Sequence, residues 1–362
     1  MTARIQYSRR QLLQMGALSA GLGLLQGCRT MVDQTLPAPT VAAGSSLYFT
    51  ACSGPLPDAR QKQLAVERLR QAGYQLENVQ ALDRREQRFA GSDAQRLADL
   101  NQLISRRRAP QLLVAGRGGY GATRLLPHID YGRLCPLLRE SGSQLIGYSD
   151  FTAIQLALLA KGGLGSFAGP MVSDFGAKQV SAFTLNEFLT TTTTANRQLR
   201  VDTPQRHNAS GEGIFWGGNL SVLSSLVGTP YLPDIKGGLL FLEDVAEQPY
   251  RIERMLQQLH QAGVLAKQRA IFIGDFNMNR QIDIYDPGYT LDAVLAEIRR
   301  LTGLPVLTGI PFGHVHDKTT LPLGFPARFS ADGGGLTLQF FDYPVTPANP
   351  QQKELLSATA PF

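Results

Sequence analysis

The stretch Gln144-Leu-Ile-Gly-Tyr-Ser149-Asp-Phe-Thr152 decides the fold. Apolar Leu145 and Ile146 lead into Gly147 and read as a buried strand. A tight turn carrying one serine follows. A helix then runs through Ala153-Ile-Gln-Leu-Ala-Leu-Leu159 and stops at Gly162-Gly163. A serine on a sharp strand-to-helix turn stands exposed above its sheet. The leading N–H groups of the helix lie beside it, free to stabilise a developing oxyanion. That geometry belongs to a serine nucleophile, which needs a base and an orienting acid from elsewhere in the chain.

Outward from this unit, strands and helices alternate. Strands read at Leu47–Ala51, Tyr74–Val79 and Gln111–Ala115. Helices read at Asp58–Ala72 and Ser92–Arg107, with Ser92 and Asp93 as cap candidates. Alternation of this kind predicts a mostly parallel sheet flanked by helices on both faces. From Thr184 to Gly213 the character changes. The threonine run 190–194 and the polar stretch 203–213 read as an interdomain crossing. A smaller β-rich α/β domain follows, with apolar runs at Gly238–Leu242, Ala270–Ile273 and Pro305–Ile310. Its helices read at Tyr250–Ala262 and Leu291–Leu301, and Leu336–Phe341 alternates like a late strand. The expected organisation is an α/β N-terminal domain over 45–185, a linker over 186–213 and a C-terminal domain over 214–343. A loosely held tail is expected over 344–362.

The N-terminus reads as a targeting segment. Ser8-Arg9-Arg10-Gln11-Leu12-Leu13 is a twin-arginine pattern, and an apolar stretch runs from Met15 to Leu25. Leu25-Gln26-Gly27-Cys28 resembles a lipoprotein cleavage box, with Gln26 bulkier than usual for its place. Residues 1–27 are thus expected to be a signal, Cys28 a lipidation site and 28–44 a Pro/Thr/Ala-rich tether. Export to the periplasm follows, with the lipid anchor as the one membrane contact.

The 362 residues carry a formal charge of +6. Arg4, Arg9 and Arg10 supply three of those charges, so a processed chain has +3. Lysine and arginine are otherwise scattered, and no nucleic-acid footprint is read. Cys52 and Cys135 both border apolar runs and read as buried free thiols rather than a disulfide.

Five histidines could serve as base: His128, His207, His260, His314 and His316. His260 falls in a helical pattern, His207 in a polar linker and His128 in a loop. His314 stands in Pro311-Phe-Gly-His314, just past an apolar strand, and is favoured over His316. For the acid, Glu243 ends the run Gly238–Leu242, where a charge must be paired or face a cleft. Asp244 and Glu247 remain competitors. Gly116-Arg-Gly-Gly-Tyr-Gly121 formally matches a dinucleotide pattern. It lies outside the first βα unit, however, and Pro127 interrupts the helix that should follow. Its glycines read better as letting backbone N–H groups approach a ligand oxygen, with Arg117 facing a carboxylate. His314-Val-His316 with Asp317 is a poor metal motif, because no second His/Cys cluster is evident in the chain. No metal and no organic cofactor is expected.

With these residues in view, the chain resembles the LD-carboxypeptidase family of the murein tetrapeptide carboxypeptidase type, serine peptidases with a Ser-Glu-His triad. The matching stretches are Ser53-Gly-Pro55, Arg117-Gly-Gly-Tyr-Gly121, Gly147-Tyr-Ser-Asp150, Gly217-Gly-Asn-Leu220, Phe241-Leu-Glu-Asp244, and Pro311-Phe-Gly-His314 with Leu321-Pro-Leu-Gly324. The resemblance implies Ser149 as nucleophile, Glu243 as orienting acid and His314 as general base. It also implies an oxyanion hole from the backbone of Asp150 and of Gly118-Gly119, and a homodimer. The implied reaction removes a terminal D-alanine from a peptidoglycan-derived tetrapeptide. Arg117 and Asn219 are candidates for its carboxylate, and Tyr120 and Trp216 for further substrate contact. Two other readings compete. A related hydrolase could cleave a peptidyl-nucleotide antibiotic, with Trp216 as a platform for the base. A lipoprotein could bind wall peptide on a dead peptidase fold.

Overall fold

A computed structural model describes residues 45–203, 208–278 and 281–347. The expected signal, tether and Cys28, as well as His207 and residues 348–362, lie outside the described residues.

In chain order the first half comprises β1 (Ser46–Thr50), α1 (Ala59–Gln71), β2 (Gln75–Glu77), α2 (Asp93–Asn101), β3 (Leu112–Ala115) and α3 (Tyr131–Ser141). It continues with β4 (Gln144–Gly147), α4 (Thr152–Gly162), β5 (Ser166–Ala168), α5 (Val172–Phe175) and α6 (Ala182–Thr193). The second half comprises β6 (Gln198–Asp202), β7 (Asn208–Asn219), α7 (Leu220–Ser225), β8 (Gly238–Glu243), α8 (Pro249–Gln261) and β9 (Gln268–Ile273). α9 (Leu291–Thr302), β10 (Val306–Leu307), β11 (Leu321–Leu323), β12 (Phe325–Asp332) and β13 (Gly335–Phe340) complete it.

These strands form two sheets. The first has the order β11-β5-β4-β3-β1-β2. Its strands β1 to β5 are parallel, and β4 is buried throughout, as expected of a strand covered on both faces. The second has the order β10-β9-β8-β7-β12-β13-β6. β7 to β10 run parallel, joined by α7, α8 and α9, and the β12-β13-β6 limb is antiparallel. The α/β class, with a parallel N-terminal sheet and a β-rich C-terminal one, is therefore present.

Local signals explain most boundaries. Asp58 caps α1 by accepting Gln61 N–H at 2.8 Å, and Ser92 with Gln95 closes a capping box on α2. Among the described residues, no helix is long and apolar enough to cross a membrane. Cys52 and Cys135 are buried free thiols, and burial pushes Cys135 up to about 11.

Three expectations need correction. The supposed linker 186–213 contains most of α6, all of β6 and half of β7. The threonines of α6 are compatible with helix because Thr192 Oγ1 bonds back to the Phe188 carbonyl at 2.8 Å. The start of the tail is not loose. Thr346 is buried, donates its N–H to the Thr192 carbonyl and its hydroxyl to Gln144 Oε1, both at 2.8 Å. Finally, the two sheets do not divide the chain into consecutive halves. β11 returns from the C-terminal half to pair antiparallel with β5, Leu321 facing Ala168 and Leu323 facing Ser166.

Candidate active site

β4 ends at Gly147, and Ser149 turns sharply into a short 3-10 helix (Ser149–Phe151) that runs into α4. Ser149 has φ +61°, a left-handed conformation that a serine adopts only where its surroundings impose it. Glu243 is the last residue of β8 and is fully buried. His314 lies in the loop after β10. There Gly313 pairs with Asp275 so closely that a Cβ would sit 2.4 Å from the Asp275 carbonyl.

These three residues meet. Ser149 Oγ lies 3.0 Å from His314 Nε2, and His314 Nδ1 lies 2.8 Å from Glu243 Oε2. Asn219 Nδ2 donates to Glu243 Oε1 at 3.3 Å and to Asp244 Oδ1 at 3.0 Å. Burial disfavours the charged imidazole. The hydrogen bond and charge of Glu243, helped by Asp244 and Asp174, outweigh it, and the His314 pKa lies above its ordinary value. His316 is exposed, turned onto Asp317 and the Gln179 carbonyl. His260 lies on α8 and His128 at the end of a 3-10 turn, Leu126–His128.

The glycine loop after β3 closes the other side. Gly118 packs its α-carbon against the nucleophile turn: a Cβ there would lie 2.6 Å from both Cβ and Oγ of Ser149. The Gly118 carbonyl accepts Gly54 N–H at 3.0 Å. In a trans peptide the Gly119 N–H must then point the opposite way, away from Gly54. Asp150 is buried, and its carboxylate accepts Ala122 N–H at 2.9 Å, which ties this loop to the nucleophile turn. A cavity of about 620 Å³ opens beside Ser149, with Gly119, Tyr120, Asn219, Leu226 and Tyr231 in its wall.

Three expected substrate contacts fall elsewhere or differ. Arg117 donates to the Pro55 carbonyl at 3.0 Å, and the cavity wall does not include it. Asn219 reaches the wall, but its amide is engaged by Glu243 and Asp244 and its Oδ1 caps α7 at Val222 N–H, 3.1 Å. Trp216 is fully buried in the C-terminal sheet, its Nε1–H donating to Gln268 Oε1 at 2.9 Å. It follows Phe215 on a strand whose last residues are buried on both faces, which keeps it from the substrate contact expected of it.

Sequence reasoning missed Asp244 as a structural acid. It accepts Ser221 N–H, the Ser221 hydroxyl and Val245 N–H within 2.8 Å, and burial raises its pKa. It also missed Arg96, whose fully buried guanidinium holds the carbonyls of Cys52 and Gly121. One signal was available for Asp244: two adjacent acids directly after an apolar strand cannot both be solvated.

A hydroxyl hydrogen-bonded to an imidazole, itself bonded to a buried carboxylate, is an arrangement that can activate a serine for attack on a carbonyl. The fold and site thus have the geometry that hydrolases of the triad kind use. Comparison with known proteins narrows this. The LD-carboxypeptidase N-terminal domain matches residues 47–169 and the LD-carboxypeptidase C-terminal domain matches residues 212–329. The chain belongs to the LD-carboxypeptidase family. The solved muramoyltetrapeptide carboxypeptidase from Oxalobacter formigenes is similar at 40% identity with a TM-score of 0.76, covering 83% of this chain and all of that one. The "Probable murein peptide carboxypeptidase" of Bacillus subtilis (strain 168) is 34% identical over 292 residues, 79% of this chain and 89% of the relative. The microcin C7 self-immunity protein MccF of Escherichia coli is 27% identical over 345 residues, 85% of this chain and 97% of the relative.

Proposed function

We propose that this chain is a serine LD-carboxypeptidase that removes the terminal D-alanine from peptidoglycan-derived tetrapeptides. The observation that carries the proposal is the continuous hydrogen-bonded chain from Ser149 Oγ through His314 to Glu243, on a serine held at φ +61°. His314 Nε2 takes the hydroxyl proton as Ser149 Oγ attacks the carbonyl carbon between the L-configured centre and D-alanine. Glu243 holds the Nδ1–H and stabilises the imidazolium. The N–H groups of Asp150 and Gly119 receive the oxyanion. His314 then returns the proton to the leaving amine, and water cleaves the acyl-enzyme by the same route in reverse. Tyr120, exposed on the cavity wall, contacts the peptide.

The test uses the detergent-solubilised full chain on a disaccharide tetrapeptide, beside Ser149→Ala, followed by mass spectrometry. Loss of one D-alanine by the parent alone is expected. An intact tetrapeptide in both overturns the proposal, and stoichiometric binding without turnover would point to a non-catalytic wall-peptide binder. The peptidyl-nucleotide reading has support in the likeness to the self-immunity protein, but the residue assigned as its platform, Trp216, is buried. Turnover of a nucleotidyl peptide in place of the tetrapeptide would favour it.

The same proposal places the enzyme outside the cytoplasm, exported by the Ser8-Arg9-Arg10 leader, tethered through Cys28 and assembled as a homodimer. Mass analysis of the membrane-recovered protein should find a lipid on Cys28, and an unprocessed Met1 would sink the tether. Light scattering should give twice the chain mass.

A further inference from the structure

The reaction scheme uses only one side of His314. On the other side the Tyr148 ring stands edge-on to the imidazole, centroids 5.1 Å apart at 66°. Its hydroxyl donates to Asp174 Oδ1 at 3.3 Å. That same oxygen receives Lys318 Nζ at 2.8 Å, and Asp174 Oδ2 accepts Met171 N–H at 2.8 Å. Lys318 is only 3% exposed, and its Nζ lies 5.5 Å from the Tyr148 ring centroid. A lysine is almost never buried to this degree without a partner, because desolvating an unpaired ammonium is prohibitive. So Asp174 and Lys318 exist as a pair. They stand behind the base, outside the cavity next to Ser149.

We propose that Asp174 and Lys318 form a charge-balancing pair that sets the basicity of His314 and, through Tyr148, its aim at Ser149. This rests on the reading of His314 as general base. Charged and titratable groups face the imidazole from every side. Glu243 and Asp244 come from the end of β8, Asp174 from α5, Lys318 from the segment just after the histidine, and Tyr148 from the nucleophile turn. Lys318 offsets part of the charge of Asp174, so Glu243 remains the dominant partner of the ring. The hydroxyl of Tyr148, tied to Asp174, fixes its ring against the imidazole and leaves Nε2 directed at Ser149. Both residues are positioning residues, since neither touches the reacting atoms.

The sign of each change follows. Lys318→Met leaves a half-buried carboxylate uncompensated, favours imidazolium and raises the His314 pKa. Asp174→Asn leaves an ammonium uncompensated and lowers it. The double variant restores neutrality. In the full chain, the acid limb of kcat/KM on the tetrapeptide and the NMR titration midpoint of the His314 ring should move together. Lys318→Met should shift both up by about one pH unit and Asp174→Asn down by about as much. The double variant should return near the parent. A merely structural role would lower kcat without shifts of opposite sign. Unmoved midpoints, shifts in one direction only, or a double variant far from the parent would overturn the proposal. Should Lys318→Met not fold, the downward shift of Asp174→Asn is still required. If the parent releases no D-alanine, the function reading falls, while the NMR midpoints still decide the coupling.

Discussion

At the scale of single residues, the site depends on how closely two backbones approach. Gly118 lies where any β-carbon would meet Ser149 Cβ and Oγ at 2.6 Å. Gly118→Ala should therefore displace the nucleophile. A fall in kcat/KM of about 10²-fold or more is expected, since a shift of order 1 Å costs that much. Calorimetry should show only a small loss of melting temperature beside it, and an unchanged kcat/KM would mean the loop yields freely. In the proposed reaction the pH dependence is set by His314. Its pKa lies above the ordinary 6.5 because Glu243 outweighs burial, and the base must be neutral to act. Activity should thus fall on an acid limb placed above that value. Glu243→Gln should move the limb down and reduce kcat by about 10⁴-fold, as loss of a triad acid does elsewhere. The stability consequence has a definite sign. A raised histidine pKa stabilises the fold below its unfolded value and ceases to do so as pH rises through the folded one. The melting gap between parent and Glu243→Gln should then be wider at about pH 5.5 than at about pH 8.5. Ser149 was legible because strand, turn and helix are local. The choice between Glu243 and Asp244, or His314 and His316, was not. It depends on side-chain direction fixed by partners 71 and 165 residues away in the chain.

Among the elements, the loop after β3 shows how a polar network holds a flexible sequence rigid. Arg96 on α2 donates to Cys52 O at 2.5 Å and to Gly121 O at 2.9 Å, Asp150 receives Ala122 N–H, and Gly54 N–H reaches Gly118 O. Arg96→Met takes its donor from the buried Cys52 carbonyl and leaves the Gly121 carbonyl with only the longer Arg124 N–H contact, 3.3 Å. A loss of about 3 kcal/mol in denaturant unfolding is expected, together with a lower kcat as the Gly119 N–H loses its aim. A stability loss with unchanged kcat would detach this clamp from the chemistry. Trp216→Phe should do the reverse. It removes one buried hydrogen bond to Gln268, costs about 1 to 2 kcal/mol, and leaves KM unaltered. A raised KM would return Trp216 to the substrate site. Strands β1, β3, β4, β8 and β9 were legible because their apolar runs are continuous. β7 was not, because its outer half is polar and glycine-bearing, and a strand at Asn208–Gly213 is defined only by pairing with residues more than a hundred positions later.

In the molecule as a whole, the candidate site and the fold share one dependence, that the first sheet is not complete without the second half of the chain. β5 has only three residues, and β11 covers its outer edge. Phe167 packs against Phe325 and Tyr343, ring centroids 5.8 and 5.9 Å apart. Gln144, fully buried in β4, gives its amide to Thr192 O and Pro344 O and receives the Thr346 hydroxyl. Where the two halves meet, Asn219 N–H donates to Thr152 Oγ1 at 3.2 Å. Cutting the chain after residue 203 would strip β5 to a bare edge and leave Gln144 short of partners, which favours aggregation over an independent domain. It would also leave Ser149 in its left-handed turn with neither His314 nor Glu243 to use it. The expectation is one cooperative transition for the whole chain, seen alike by far-UV dichroism and by calorimetry. A fragment of residues 45–203 should show no protected amides in hydrogen exchange. If that fragment instead melts cooperatively with β3 and β4 protected, the parallel sheet is an autonomous unit. β11 would then be an addition to a finished fold rather than part of what makes the nucleophile turn stable.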